Sequence, residues 1–155
     1  MLDDLRDLYQ EVILDHGRNP RNFRRPEDAN RRAHGYNPMC GDTLMVYVKV
    51  DDEDVIRDVA FEGKGCAISL ASASMMTEIL TGKTLQQADQ LFHGFHDMCT
   101  KDDADLTGEG IEEDDAERLQ VLSGVRAFPV RVKCATLAWH TLSAAVAGER
   151  EVTTE

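Results

Sequence analysis

Thr43-Leu44-Met45-Val46-Tyr47-Val48-Lys49-Val50 alternates strictly: Leu44, Val46, Val48 and Val50 take one parity, Thr43, Met45, Tyr47 and Lys49 the other. That period of two is the mark of a strand with one buried face. The acidic run Asp51-Asp52-Glu53-Asp54 reads as a turn, after which Val55 to Phe61 returns as a second strand, with Val59 and Phe61 on the face opposite Asp58 and Glu62. An antiparallel hairpin is the simplest fold for this stretch.

Helical patterns surround the hairpin. Leu2, Leu5, Tyr9, Val12 and His16 recur at steps of three and four, which predicts an amphipathic helix ending before Gly17 and Asn19-Pro20. The arginine-rich stretch that follows, to about Pro38, predicts a loop. From Cys66 a run of Ala, Ser, Leu, Ile and Met predicts a helix through Leu80, closed by Gly82, and Thr84 to Phe95 starts another. Thr100 to Asp115 is acidic and aperiodic, which predicts an exposed insertion, and Ala116 to Leu122 resumes helical spacing. The last helix should start after Pro129 and run to Gly148. Its Ala135 to Ala147 portion is apolar almost all the way round, so it should be the most buried. The predicted fold class is α+β, a small antiparallel β-sheet with helices packed on one face. The length of 155 residues suits one domain, 1–155.

A formal charge of −12 repels phosphate backbones, and no basic stripe interleaved with aromatics is visible, so nucleic acid is not an expected partner. No run approaches the ~20 apolar residues of a membrane span. The amino terminus, Met1 to Asp7, lacks a secretory pattern. The expectation is a soluble cytoplasmic protein without membrane partners, in which four cysteines serve as metal ligands or reactive thiols rather than as a disulfide framework.

Cys40, Cys66 and Cys134 are too far apart in sequence for a local finger, so the fold must bring them together. The hairpin does part of this, because Cys40 precedes its first strand and Cys66 follows its second, at the same end. With the Asp42 carboxylate they offer four anionic donors, the number and kind that a tetrahedral zinc site takes. Gly41, Gly63 and Gly65 let the backbone bend tightly there. Cys66 and Cys134 should lie in first turns of helices, where unpaired N–H groups favour a thiolate. Spacing alone leaves two readings open, a metal centre or three buried free thiols. A second constellation, His93-x2-His96-x2-Cys99, has helical steps that hold one metal only with distortion and reads as solvated helix side chains. His16, His34 and His140 stand alone, and no phosphate loop, Ser/His/Asp set or H-E-x-x-H motif is present.

Four segments carry a family resemblance: Leu8 to His16 (LYQEVILDH), Asn37-Pro38-Met39-Cys40-Gly41-Asp42, Phe61 to Ser69 (FEGKGCAIS) with Ala71 to Met76 (ASASMM), and Phe128 to Trp139 (FPVRVKCATLAW). In this order, over nearly the full length, they closely resemble the SufU branch of the IscU-like (NifU amino-terminal) family. The resemblance implies an α+β fold, a zinc ion held by Cys40, Asp42, Cys66 and Cys134, and a role in iron–sulfur cluster biogenesis. IscU-type scaffolds have a histidine just before the last cysteine and a Leu-Pro-Pro-Val-Lys chaperone motif. Here Lys133 precedes Cys134 and the stretch reads Ala127-Phe128-Pro129-Val130-Arg131. An insertion at about 93–125 is likewise similar to SufU proteins. These features imply a zinc-dependent sulfurtransferase. A SufS-type cysteine desulfurase would be its partner, with a desulfurase histidine replacing Cys40 on zinc and the freed Cys40 attacking the enzyme persulfide. Sulfur would then pass to the downstream Suf assembly complex. The alternative the resemblance keeps is a scaffold that builds an iron–sulfur cluster on the same ligands.

Overall fold

The computed structural model describes residues 2–101 and 111–153, with residues 2–9 and Arg126 described by their backbone alone. The predicted hairpin is its centre. Strand β2 (Asp42–Val50) pairs antiparallel with β3 (Ile56–Lys64), and the register sets Val46 opposite Phe61 and Val48 opposite Val59. Leu44, Val46, Val48, Val59 and Phe61 are fully buried, as the alternation requires.

The stretch expected to be a loop holds a strand. Strand β1 (Arg31–Asn37) pairs antiparallel with β2 along its whole length, and a short strand β4 (Glu151–Thr153) adds parallel to β1, giving the order β3-β2-β1-β4. The inward positions of β1 are Ala33, Gly35 and Asn37, which carry almost no hydrophobic signal. They are small because the last helix lies against them: a Cβ on Gly35 would stand 2.0 Å from Thr141 Oγ1.

The helices pack on the sheet. Helix α1 (Leu2–Arg18) runs past the expected stop at Gly17, because glycine there lets α1 touch helix α2 (Ala67–Leu80), whose Ala67 Cα would lie 3.3 Å from a Cβ at Gly17. Helix α3 (Leu85–Thr100) opens with a capping box in which the Thr84 hydroxyl accepts from Gln87 N–H and the Gln87 side chain accepts from Thr84 N–H. The acidic run at 102–110 lies outside the described residues. Its expected continuation to Asp115 as exposed insertion is corrected: Glu113 to Leu119 form helix α4, and Asp115 is buried in an ion pair with Lys83 Nζ at 2.9 Å. A 3₁₀ segment, Gln120–Ala127, leads to helix α5 (Pro129–Val146) with Pro129 in its first turn. Helix α5 is buried from Cys134 to Trp139. It is not alone in this, since α2 is buried over most of its length between α1, α5 and β3. Among the described residues no helix is long and apolar enough to cross a membrane.

Candidate metal centre

The hairpin end nearest β1 is built by a tight turn. Asn37 closes β1, Asp42 opens β2, and the two are register partners. Between them Cys40 N–H donates to Asn37 O at 3.2 Å, and Gly41 takes φ +73°, a left-handed conformation that suits glycine. This presents the Cys40 thiol half-exposed and turns the Asp42 carboxylate inward, where it is buried. On the other strand of the hairpin Gly65 makes room, since a Cβ there would come within 2.9 Å of Asp42 Oδ1.

Cys66 caps helix α2. Its backbone N–H donates to Asp42 Oδ1 at 2.9 Å and its sulfur accepts from Ser69 N–H at 3.4 Å. Cys134 does not open its helix, as the sequence suggested; α5 begins at Pro129, so this cysteine sits in the second turn, beyond the unpaired N–H groups of the helix start. The helix dipole therefore favours a thiolate at Cys66 and not at Cys134. Buried Cys134 Sγ instead meets Cys40 Sγ at 3.0 Å, Asn37 Nδ2 at 3.6 Å and Val130 O at 3.7 Å.

The donor atoms of Cys40, Asp42 and Cys134 all lie within 4.8 Å of one another, a group able to hold a metal ion. Cys66 stands beside this trio without completing it, its sulfur occupied as a helix cap. Electrostatics tie it in. The hydrogen bond with Cys134 lowers the Cys66 thiol to about 6, helped by Ser69 N–H and opposed by burial, while Cys134 is pushed up by the same contact and by burial. One thiolate is thus favoured in this cluster even before a cation arrives. Arg131 supplies positive charge: its guanidinium hydrogen-bonds Cys134 and faces Cys66 and Cys40, which raises its own pKa.

The carboxylate tests whether a metal fits. Asp42 Oδ1 is satisfied by Cys66 N–H, yet Oδ2 is buried with no hydrogen-bond partner among the described residues. An orphaned carboxylate oxygen is expensive unless a cation meets it. With two sulfurs within 4.8 Å, the donor chemistry suits a borderline-soft divalent ion.

The rival constellation separates. His93 is exposed against Asp89, at 3.4 Å, whereas Cys99 is buried in the core. His96 instead meets His140 across α3 and α5, ring centroids 5.8 Å apart. His16 bonds Ser74 Oγ and His34 bonds Thr43 Oγ1, so both are packing histidines. Two residues escaped the sequence reading, Arg131 and Asn37. The first stands three before Cys134 in a basic stretch, and the second opens the Asn37-Pro38-Met39-Cys40-Gly41-Asp42 segment three before Cys40; both lie in segments that carry the resemblance, without a role assigned to either.

Over the centre opens a cleft of about 610 Å³ lined by Met39, Cys40, Cys66, Phe128, Val130 and Arg131, among others. Met39 and Phe128 are 64% and 63% exposed. Large apolar side chains thus stand in water beside a half-exposed thiol.

Known proteins resemble this chain in sequence and in fold. Residues 8–114 match the family model described as the NifU-like N terminal domain. The zinc-dependent sulfurtransferase SufU of Bacillus subtilis is 42% identical over 94% of this chain and 94% of its own. The iron-sulfur cluster assembly scaffold protein IscU of Streptococcus pyogenes is 38% identical over 94% of this chain and 86% of its own. A crystal structure of SufU from Fervidobacterium islandicum AW-1, described as a cluster assembly scaffold candidate for the SUF system, superposes with a TM-score of 0.75 at 35% identity, covering 88% of this chain and 94% of that one. The chain belongs to the NifU-like N-terminal domain family, among the SufU and IscU proteins of iron–sulfur cluster assembly.

Proposed function

We propose that this protein is a zinc-dependent sulfurtransferase of the cytoplasm, a single domain that accepts sulfur on Cys40 from a SufS-type cysteine desulfurase and hands it to the downstream Suf assembly complex. The observation that carries the reading is the trio Cys40, Asp42 and Cys134 around an orphaned carboxylate oxygen, with the Cys40 thiol half-exposed on a turn at an open, apolar-rimmed cleft, where half-exposed Cys66 is instead held as a helix cap. Kinship with a relative named as a zinc-dependent sulfurtransferase supports it. Cys40, Asp42, Cys66 and Cys134 would hold the zinc, Cys66 by giving up its cap on α2. Bound there, zinc would keep the sulfurs deprotonated and the ligand loops in register.

The chain's own residues perform the transfer. Cys40 lies on a turn rather than a helix, so it can move while Asp42, on β2, and Cys134, within α5, stay fixed. Its thiolate attacks the terminal sulfur of the desulfurase persulfide. The S–S bond to the enzyme cysteine breaks, a new S–S bond forms on Cys40, and the enzyme cysteine leaves as a thiolate, so electrons balance without an outside oxidant. Met39, Phe128 and Val130 provide the contact that excludes water, and Arg131 sits where the migrating negative charge passes.

A second reading, the IscU-type scaffold, is favoured by the 38% identity to an IscU scaffold. Against it stands Lys133, where the scaffold pattern has histidine. Desulfurase turnover under reductant, with zinc-loaded and zinc-stripped protein whose folding is verified by circular dichroism, separates the two. Stimulation that requires zinc is expected. Equal acceptance by the stripped, folded form would overturn the sulfurtransferase reading and leave the scaffold.

A further inference from the structure

We infer that Asn37 is a positioning residue of the metal centre, donating an N–H···S hydrogen bond that sets both the aim and the electron density of the Cys134 sulfur. The inference rests on the metal-site reading above and concerns a residue outside the proposed ligand set. Three contacts place Asn37 at the hub. Its side chain Nδ2 lies 3.6 Å from Cys134 Sγ, its backbone carbonyl accepts Cys40 N–H at 3.2 Å, and its strand position pairs with Asp42. One residue thereby hydrogen-bonds two members of the trio and is the cross-strand partner of the third.

Burial adds weight. Asn37 is fully buried, and its Oδ1 has no hydrogen-bond partner among the described residues. A buried amide with one half unsatisfied costs stability that an apolar residue of the same size would not. The neighbouring inward positions of β1, Ala33 and Gly35, are small and apolar, so the strand itself does not call for an amide there. What the amide offers that leucine does not is a donor aimed at sulfur. Hydrogen bonds from the outer shell fix the orientation of a ligand and withdraw charge from it, and their removal typically weakens metal binding about 10–100-fold. In a shell of three thiolates and one carboxylate, with formal charge −2 around a divalent ion, such a donor offsets part of the excess charge at Cys134 and leaves Cys40 without it.

The test uses full-length protein loaded with cobalt(II) or zinc, comparing Asn37→Leu, Asn37→Asp and wild type, with Asp42→Ala and Cys134→Ser as ligand controls and circular dichroism as the check on folding. Asn37→Leu keeps size and removes the donor; Asn37→Asp keeps shape, removes the donor and adds a negative charge. The expected result is zinc affinity, measured by chelator competition, lowered about 10–100-fold in Asn37→Leu and further in Asn37→Asp. The sulfur-to-cobalt charge-transfer band should move to lower energy in Asn37→Leu, because the sulfur lone pairs are no longer stabilised. A purely structural role predicts altered melting with an unmoved band. Wild-type affinity and band in folded Asn37→Leu overturn the inference while the ligand controls still lose metal. If Asp42→Ala and Cys134→Ser also bind as wild type, the metal-site reading itself falls. Should Asn37→Leu fail to fold, Asn37→Ala, which has no donor and fits the space, is measured for the same band, and a wild-type band position there overturns the inference.

Discussion

The two ends of the β2–β3 hairpin each place an aspartate at a turn, and they treat it in opposite ways. At the connecting turn, Asp51 Oδ1 accepts N–H groups from Glu53 and Val55 at 2.9 and 3.0 Å, and Oδ2 accepts Arg57 Nε at 2.6 Å. These partners, Val55 N–H first, hold its carboxyl below the usual range. At the other end Asp42 is buried, has one oxygen held by Cys66 N–H, and has the second unpartnered among the described residues. Both are acidic residues in tight turns. The half-buried one is fully satisfied and shapes the fold; the buried one is half satisfied and is shaped for a ligand. Unmet hydrogen-bonding capacity in a buried place is what separates function from scaffolding here.

The contrast between the two ends breaks most sharply at Asp42. Asp42→Ala should lower zinc affinity by at least about 100-fold, since a ligand is lost from a four-donor shell. Asp42→Asn should split the two states: it removes a buried charge whose second oxygen lacks a partner, so the metal-free protein should melt at the same temperature or higher, while metal loading no longer raises its melting point. Calorimetry with and without zinc measures both. A large loss of stability in the zinc-stripped Asp42→Asn protein would show Asp42 to be a structural residue like Asp51.

Cys40→Ala comes next. Because Cys40 is on a turn and half-exposed, its removal should leave the fold intact while abolishing sulfur acceptance, read as loss of radiolabelled sulfur on the protein after incubation with desulfurase. Undiminished labelling would move the acceptor to Cys66, whose thiol sits at about 6. Gly65→Ala is a subtler probe of the same end. Its Cβ would meet Asp42 Oδ1 at 2.9 Å and Ser69 Oγ at 3.1 Å, so the carboxylate must shift by a few tenths of an ångström. About a tenfold loss of zinc affinity is expected, with little change in melting of the metal-free form. At the satisfied end, Asp51→Ala should do the reverse, lowering the melting temperature by about 2–6 °C without touching zinc affinity.

How far the sequence showed these two ends follows from what each is made of. The hairpin was legible because its inward residues, Leu44, Val46, Val48, Val59 and Phe61, are large and alternate with polar ones. Strand β1 was hidden because the helix above it permits only Ala33, Gly35 and Asn37 on the inward side, and a strand faced with small residues leaves no hydrophobic period to read. The same crowding concealed Asn37, whose role depends on a sulfur 97 positions away. Cys40, Cys66 and Asp42 could be gathered from hairpin geometry alone. Cys134 was a candidate donor from its residue type, but hairpin geometry could not bring it to the others, because which turn of α5 faces the hairpin end is set by packing against β1 and β2. Its displacement into the second turn has the same origin: Pro129 starts the helix earlier than the cysteine, and the first turn, with Val130 48% exposed, is spent on the cleft rim rather than on the metal.

The smallest effect tests whether satisfaction of polar groups holds away from both turns. His140, on α5, is half-buried against Phe92 and His96, with ring centroids 5.0 and 5.8 Å away. Burial first, and the proximity of His96 second, depress its pKa below 6.5. His16 is depressed in the same direction, chiefly by burial and then by Arg21, although Glu78 and Asp15 pull the other way. The sign follows from linkage. Both imidazoles are held neutral in the fold but take up protons in the unfolded chain once the pH falls below about 6.5, so their contribution is complete above that value and is lost as pH drops toward their folded pKa values. Melting temperature should therefore fall between about pH 6.5 and 5 in zinc-free protein. Replacing His140 by Phe, which keeps the ring against Phe92 and cannot take a proton, should flatten part of that slope, with the remainder shared by His16 and by Cys66, whose thiol at about 6 takes up its proton in the same window. An unchanged slope in His140→Phe would mean that the His96–His140 contact opens to solvent at acid pH, and that α3 and α5 separate there more easily than their packing implies.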